Sequence, residues 1–231
     1  MNSQLHAYSL DTSLESSAQR HRVLRNTYFL LALSMLPTVL GAVIGIQLNF
    51  SFMAGSPVLG FLLFLGVAWG FMWGIARHKD SGLGVALLLG FTFFMGLMLS
   101  RILQVALGFS NGGQLIALAA GGTGAIFFTL SAIAATSKKD FSFLGNFLFI
   151  GMVVVLLAAL ANAFLQLPAL ALAISAVSVL IFSAYILFDI SRIVNGGEDN
   201  YVMATLSVYL NIYNVFVSLL HLLLSLAGER D

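Results

Sequence analysis

Residues 185–225 read YILFDISRIVNGGEDNYVMATLSVYLNIYNVFVSLLHLLLS. One apolar run ends at Asp189-Ile190-Ser191-Arg192, a turn follows at Asn195-Gly196-Gly197-Glu198, and a second apolar run begins near Val202. Both runs have the length and hydropathy of membrane-spanning helices, so the stretch predicts a helical hairpin with a short polar turn. In its second arm Ser207, Asn211, Asn214, Ser218, His221 and Ser225 follow at steps of four, three, four, three and four. That spacing places all six on one side of a helix whose other positions are mainly Leu, Val and Phe. A polar seam facing Asp189 is expected, with Ser207 or Asn211 near the acid.

The rest of the chain has the same character. Of 231 residues, 60% are hydrophobic and only 8% are charged, against roughly 25% charged in soluble domains. Such a chain cannot cover a water-facing surface, and membrane lipid is its first partner. The net charge of +1 argues against nucleic acid as another. With no cysteine, thiolate metal sites and disulfides are excluded. No cofactor is expected.

Seven apolar runs, at roughly 26–48, 57–76, 83–108, 113–135, 144–166, 169–191 and 202–226, are each long enough to cross hydrocarbon as a helix. The expected fold is therefore all-α, a polytopic seven-helix bundle over residues 26–226. Residues 1–25, polar and carrying Arg20, Arg22 and Arg25, have no apolar core and read as a flexible cytosolic tail rather than a cleaved signal. Residues 227–231 form a short outer tail. Lys and Arg fall in the N-terminal segment and the even-numbered loops (Arg77, Lys79; Lys138, Lys139; Arg192) and are missing from the odd ones. This alternation predicts a cytoplasmic N-terminus and an outer C-terminus.

Gly66, Gly70 and Gly74 recur every fourth residue in the second run, and Gly41 and Gly45 in the first. Such stripes let helix backbones approach, and packing within the bundle is the expectation, with a dimer seam the alternative. Gly121-Gly122-Thr123-Gly124 lacks a following lysine and lies inside an apolar run, so it is read as helix packing and not a phosphate loop. Neither HExxH nor a protease-like pair of intramembrane aspartates is present, which leaves no enzyme reading in favour.

Two charges fall within apolar runs. Arg101 stands seven residues before Gly108, hence roughly 10 Å from that helix end, where its long side chain reaches the interface or serves a site. Asp189 is made tolerable by protonation, by water, or by Arg192 three residues on, the local partner expected on the same helix face.

These residues carry a family resemblance. Phe188-Asp189-Ile190, Asn195-Gly196-Gly197-Glu198, Tyr201-Val202 and Leu206 through Asn214-Val215-Phe216 resemble the last two helices of the Bax-inhibitor family of seven-helix membrane proteins. The string FTFFMGLMLS (Phe91–Ser100) is similar to a second recurring motif of that family. Val23 through Phe29, Lys139 through Gly145 and Asn162 through Ala176 look like its bacterial branch. The resemblance implies an inner-membrane, non-enzymatic substrate and modulator of the ATP-dependent membrane protease FtsH, one that occupies FtsH and spares other membrane clients. The segment from Met1 to Arg25 would be the handle for the protease. The wider family also contains calcium leak channels whose proton sensor is a pair of aspartates. Asp189 matches one of them, but Asn211 stands where the other would be, and an amide cannot share a proton as a second carboxyl does. A cation (calcium) leak with weakened or absent pH gating, its path lined by Asp189, Arg192, Ser207, Asn211 and Asn214, is the alternative.

Overall fold

The computed structural model describes residues 2–50, 57–137 and 139–228, and the side chains of 17–50, 59–137 and 139–228. The described residues form seven α-helices: α1 (Asn2–Gln47), α2 (Pro57–Arg77), α3 (Gly82–Leu107), α4 (Gly112–Thr136), α5 (Gly145–Leu165), α6 (Pro168–Asn195) and α7 (Tyr201–Gly228). A single 3-10 turn, Ser142–Leu144, precedes α5, and no strand occurs among the described residues. Each helix contains a stretch long and apolar enough to span a bilayer, so the all-α, seven-span architecture stands as the hydropathy pattern indicates.

Helix α7 is the axis of the bundle, packed by α1, α3, α4 and α6. Its Val202, Val208, Tyr209, Val215 and Leu220 are essentially inaccessible. Of these, Val202, Val208, Tyr209 and Val215 join Phe91 and Leu88 of α3, Ile75 of α2 and Ile186, Ile190 and Ile193 of α6 in the main core, and Leu220 joins Leu99, Leu103, Leu115 and Leu224 in a second one. Helices α2 and α5 are peripheral and present Leu62, Trp69, Phe147 and Leu157 outward, as lipid-facing surfaces should.

The closest crossing is that of α1 with α3. A methyl group at Gly41 would collide with the carbonyl oxygen of Phe93, and one at Gly96 with that of Thr38. Gly45 lies equally tight against Ser100, whose Cβ is 2.6 Å from an added methyl. The contact partners climb together, 38 with 96, 41 with 93 and 97, 45 with 100, so the two helices run in the same direction. Gln104 Nε2 donates to the Gly45 carbonyl at 3.2 Å. Pro37 lies inside α1 and removes one ladder donor. Around it the Ser34 and Thr38 hydroxyls donate to the carbonyls of Leu30 and Ser34 at 2.7 and 2.8 Å.

Two expectations about glycines are corrected here. Added methyls at Gly66 and Gly70 meet nothing within 4 Å, and one at Gly74 meets only the Leu87 side chain at 3.3 Å. Gly66 and Gly70 are exposed and take no part in packing within the bundle, whereas Gly74 does pack against α3. Gly121 and Gly124 likewise have open space, while Gly122 faces Leu219 at 3.4 Å.

α1 runs unbroken through Arg25, where the sequence places the end of a tail. Val23 is buried, and the Arg20 side chain lies against Gly196. The α2–α3, α4–α5 and α6–α7 connections gather at this same end of the bundle. Asn200 Nδ2 donates to Asp80 Oδ1 at 2.7 Å and to the Lys79 carbonyl at 3.3 Å. The Phe141 amide donates to Ser191 Oγ at 3.0 Å.

Candidate functional site

The α6–α7 hairpin is short because Gly196 adopts a left-handed conformation, φ 81°, which is accessible to glycine without strain. Its N–H donates back to the Ile193 carbonyl at 3.2 Å and the Gly197 N–H to the Arg192 carbonyl at 2.7 Å, closing α6. Four residues later α7 begins. Asn200 Oδ1 accepts from the amides of Val202 and Met203 at 3.1 and 3.0 Å, capping the new helix.

This tight return brings Asp189 and Asn211 together. Asn211 Nδ2 donates to Asp189 Oδ2 at 2.7 Å, and the two residues are 8% and 7% exposed. Ile186, Ile190 and Ile193 of the same helix are fully buried as well. A buried polar group costs free energy unless it is hydrogen-bonded, and an interhelical bond in a membrane contributes about 0.6 kcal/mol on average. Tyr185, one turn before Asp189, stacks on Phe182 and meets Phe188 edge-on.

Of the expected lining residues, only Asn211 touches the acid. Asn214 Nδ2 donates to its own helix at the Leu210 carbonyl, 2.8 Å away. Ser207 is half-buried one turn before Asn211, Ser218 is buried farther along, and His221 and Ser225 are exposed near the far end. The expected Asp189–Arg192 pair is not formed. Arg192 lies 3.7 Å from Glu198, donates to the Gly197 carbonyl at 3.0 Å and covers the Phe188 ring at 5.6 Å. The left-handed Gly196 folds the turn back over the end of α6, and an arginine there reaches Glu198 in water more readily than a carboxyl in the core. Among the described residues this is the only ion pair. Arg101 is exposed on α3, near His221.

Three polar anchors near the site carry no repeating sequence signal. The Thr38 hydroxyl sends its single proton to the Ser34 carbonyl, so the Tyr209 hydroxyl at 2.9 Å donates to Thr38. The Thr92 carbonyl is a longer second contact of Tyr209, 3.4 Å away. Tyr209 thus ties α7 to α1 and α3. Asn200 ties the α7 start to the α2–α3 loop, and Ser191 Oγ accepts from both Phe141 N–H and Asn195 Nδ2. Tyrosine at an apolar helical position reads as core, and Asn200 reads as one more turn residue. Only the paired spacing of asparagine before a helix start hints at the cap.

Among the described residues no three His, Asp or Glu side chains cluster as a metal site would need. The chemistry on offer is one carboxyl and one amide, closely held.

Comparison with known proteins agrees with this architecture. The family model for Inhibitor of apoptosis-promoting Bax1 (Bax1-I) matches residues 20–228. The chain is 46% identical over 212 residues to the modulator of FtsH protease YccA of Escherichia coli K12, covering 92% of each chain. It is equally similar to the inner membrane protein YccA of E. coli O6:H1. A protein of Neisseria meningitidis serogroup A is 40% identical over 215 residues, 92% of this chain and 95% of the relative.

Proposed function

This chain belongs to the Bax-inhibitor family, and we propose that it acts as a modulator of the membrane-anchored ATP-dependent protease FtsH. The observation that carries the reading is full-length likeness to a relative named for that role, at 46% identity across 92% of both chains. In this reading the protein is non-enzymatic. It lies in the inner membrane with its N-terminus in the cytoplasm, where Arg20, Arg22, Arg25, Arg77, Lys79, Lys138, Lys139 and Arg192 would all lie under the positive-inside rule.

Residues up to Arg25 serve as the handle that the protease grips, and the tightly closed bundle behind them resists extraction. The protein thereby occupies FtsH and spares other membrane clients. The test is a deletion of residues 2–16, which removes none of the described side-chain contacts. Degradation of the truncated chain by FtsH should stop while the bundle keeps its thermal transition. Turnover at the full-length rate would remove the handle from the reading.

A calcium leak is the second reading, favoured by Asp189, an acid buried near the end of a membrane helix. It requires calcium flux into liposomes carrying the purified protein, lowered by Asp189→Asn. Flux no greater than in empty vesicles at both pH 6 and pH 8 would dispose of it.

A further inference from the structure

A groove opens between α3 and α7 at the end of the bundle opposite the Asn200–Asp80 contact. It encloses about 500 Å³ and is lined by Arg101, Ile102, Val105, Phe109, His221 and Ser225, among others. Arg101 sits roughly 10 Å inside the end of α3, facing outward. Among the described residues no carboxylate comes within 4 Å of it. A guanidinium at this depth is expensive to leave in hydrocarbon unless an anion meets it.

The walls limit what that anion is. Ile102, Val105, Val217 and Leu224 are apolar, so the occupant carries hydrocarbon as well as charge. From Phe109 at the helix end to Met98 at the floor the groove descends 11 residues along α3, roughly 16 Å. That length accommodates a glycerol phosphate and the upper part of an acyl chain. His221 adds a third feature. Its Nδ1 lies 3.1 Å from the Val217 carbonyl, an oxygen that only accepts, so Nδ1 carries the proton. In the neutral ring Nε2 is then left as an acceptor.

We propose that this groove binds an anionic phospholipid, with the phosphate on Arg101, a chain along the Ile102–Val105 wall, and a headgroup hydroxyl donated to His221. Phosphatidylglycerol has each of these parts. Phosphatidylcholine has the chains and phosphate but offers no hydroxyl and no net negative charge.

The test is native mass spectrometry of the full-length protein in mild detergent, titrated with phosphatidylglycerol or phosphatidylcholine of the same chains. The wild type should retain one phosphatidylglycerol in preference to phosphatidylcholine, and Arg101→Gln should weaken that retention about fivefold, as loss of one lipid-facing basic residue does. Arg101→Lys should keep most of it. Val105→Trp fills the groove at a residue that is 50% exposed, so it leaves the core untouched; it should reduce retention while Arg101 is intact. Unchanged retention in Arg101→Gln, or equal retention of phosphatidylcholine, would overturn the proposal. Thermal stabilisation by inorganic phosphate equal to that by phosphatidylglycerol would also overturn it, by showing a site for the free anion.

Discussion

Asn211 of α7 donates to the Asp189 carboxyl of α6 across 2.7 Å, in a part of the bundle where both residues are almost wholly covered. Removing one partner leaves the other buried without it, whereas removing both leaves an apolar contact. Asp189→Leu and Asn211→Leu should therefore each lower stability in detergent by about 1–3 kcal/mol. The double variant should fall short of the summed losses by about 1 kcal/mol, the scale of the stronger interhelical bonds. Thermal unfolding of the four proteins, run as a double-mutant cycle, measures the difference; strict additivity would mean that the bond contributes nothing.

The glycines divide into two groups with opposite expected outcomes. Gly41→Ala and Gly96→Ala force a methyl into a facing backbone carbonyl, which cannot rotate away. Each should destabilise by about 1–3 kcal/mol. Gly66→Ala and Gly70→Ala meet nothing within 4 Å and should be neutral or stabilising by up to about 1 kcal/mol, since alanine restricts the unfolded chain and favours helix. Melting temperatures of the four single variants separate the groups.

Asn200 joins two structures through one side chain: its oxygen caps α7 and its amide nitrogen holds Asp80. Asn200→Ala should cost about 1–2 kcal/mol through loss of the cap. Asn200→Ser keeps a capping oxygen and gives up only Asp80. Asn200→Asp caps as well, yet sets a carboxylate against Asp80 and should be worse than serine. Hydrogen exchange at the 79–81 and 201–205 amides should rise in both segments for Ala, and mainly at 79–81 for Ser.

Asp140, outside the spans, holds the entry to α5. The Ser142 hydroxyl, and after it the Ser142 N–H that donates to Oδ1 at 2.9 Å, keep its carboxyl below the usual aspartate range. A carboxyl whose folded value is depressed stabilises fully above its unfolded value, about 3.9, and loses that contribution as pH falls through the lower folded value. Protection of the Ser142–Leu144 amides should thus be flat from pH 8 down to about pH 5 and fall below that. Asp140→Ala should show low protection at every pH.

Much of this architecture is legible in the sequence because lipid imposes length and hydropathy on each span. The Asp189–Asn211 contact follows from a five-residue turn and helical register, both readable. Rotation of a helix about its axis is not readable where both of its faces are apolar. The spacing of Gly66 and Gly70 reads as packing in either case, because lipid and protein interior favour the same side chains at their neighbours. The partner of Arg192 is unreadable for another reason: it depends on the path of the Gly196–Gly197 turn, a tertiary detail that lets Glu198 return to a residue six positions earlier. Tyr209 gives no signal in the sequence because its hydroxyl finds Thr38, far away in the chain and itself just another small residue of an apolar run.

The unbroken course of α1 has a mechanical consequence. One helical rod links Asn2 to the crossing where Gly41 and Gly96 hold two backbones in contact. A load applied at its N-terminal end is transmitted along the rod, past the missing ladder bond at Pro37, and reaches that crossing as shear between parallel helices rather than as peeling. Shear strains all the α1–α3 contacts at once, whereas peeling breaks them singly. A pull on this end would therefore load the whole seam before the first helix came free.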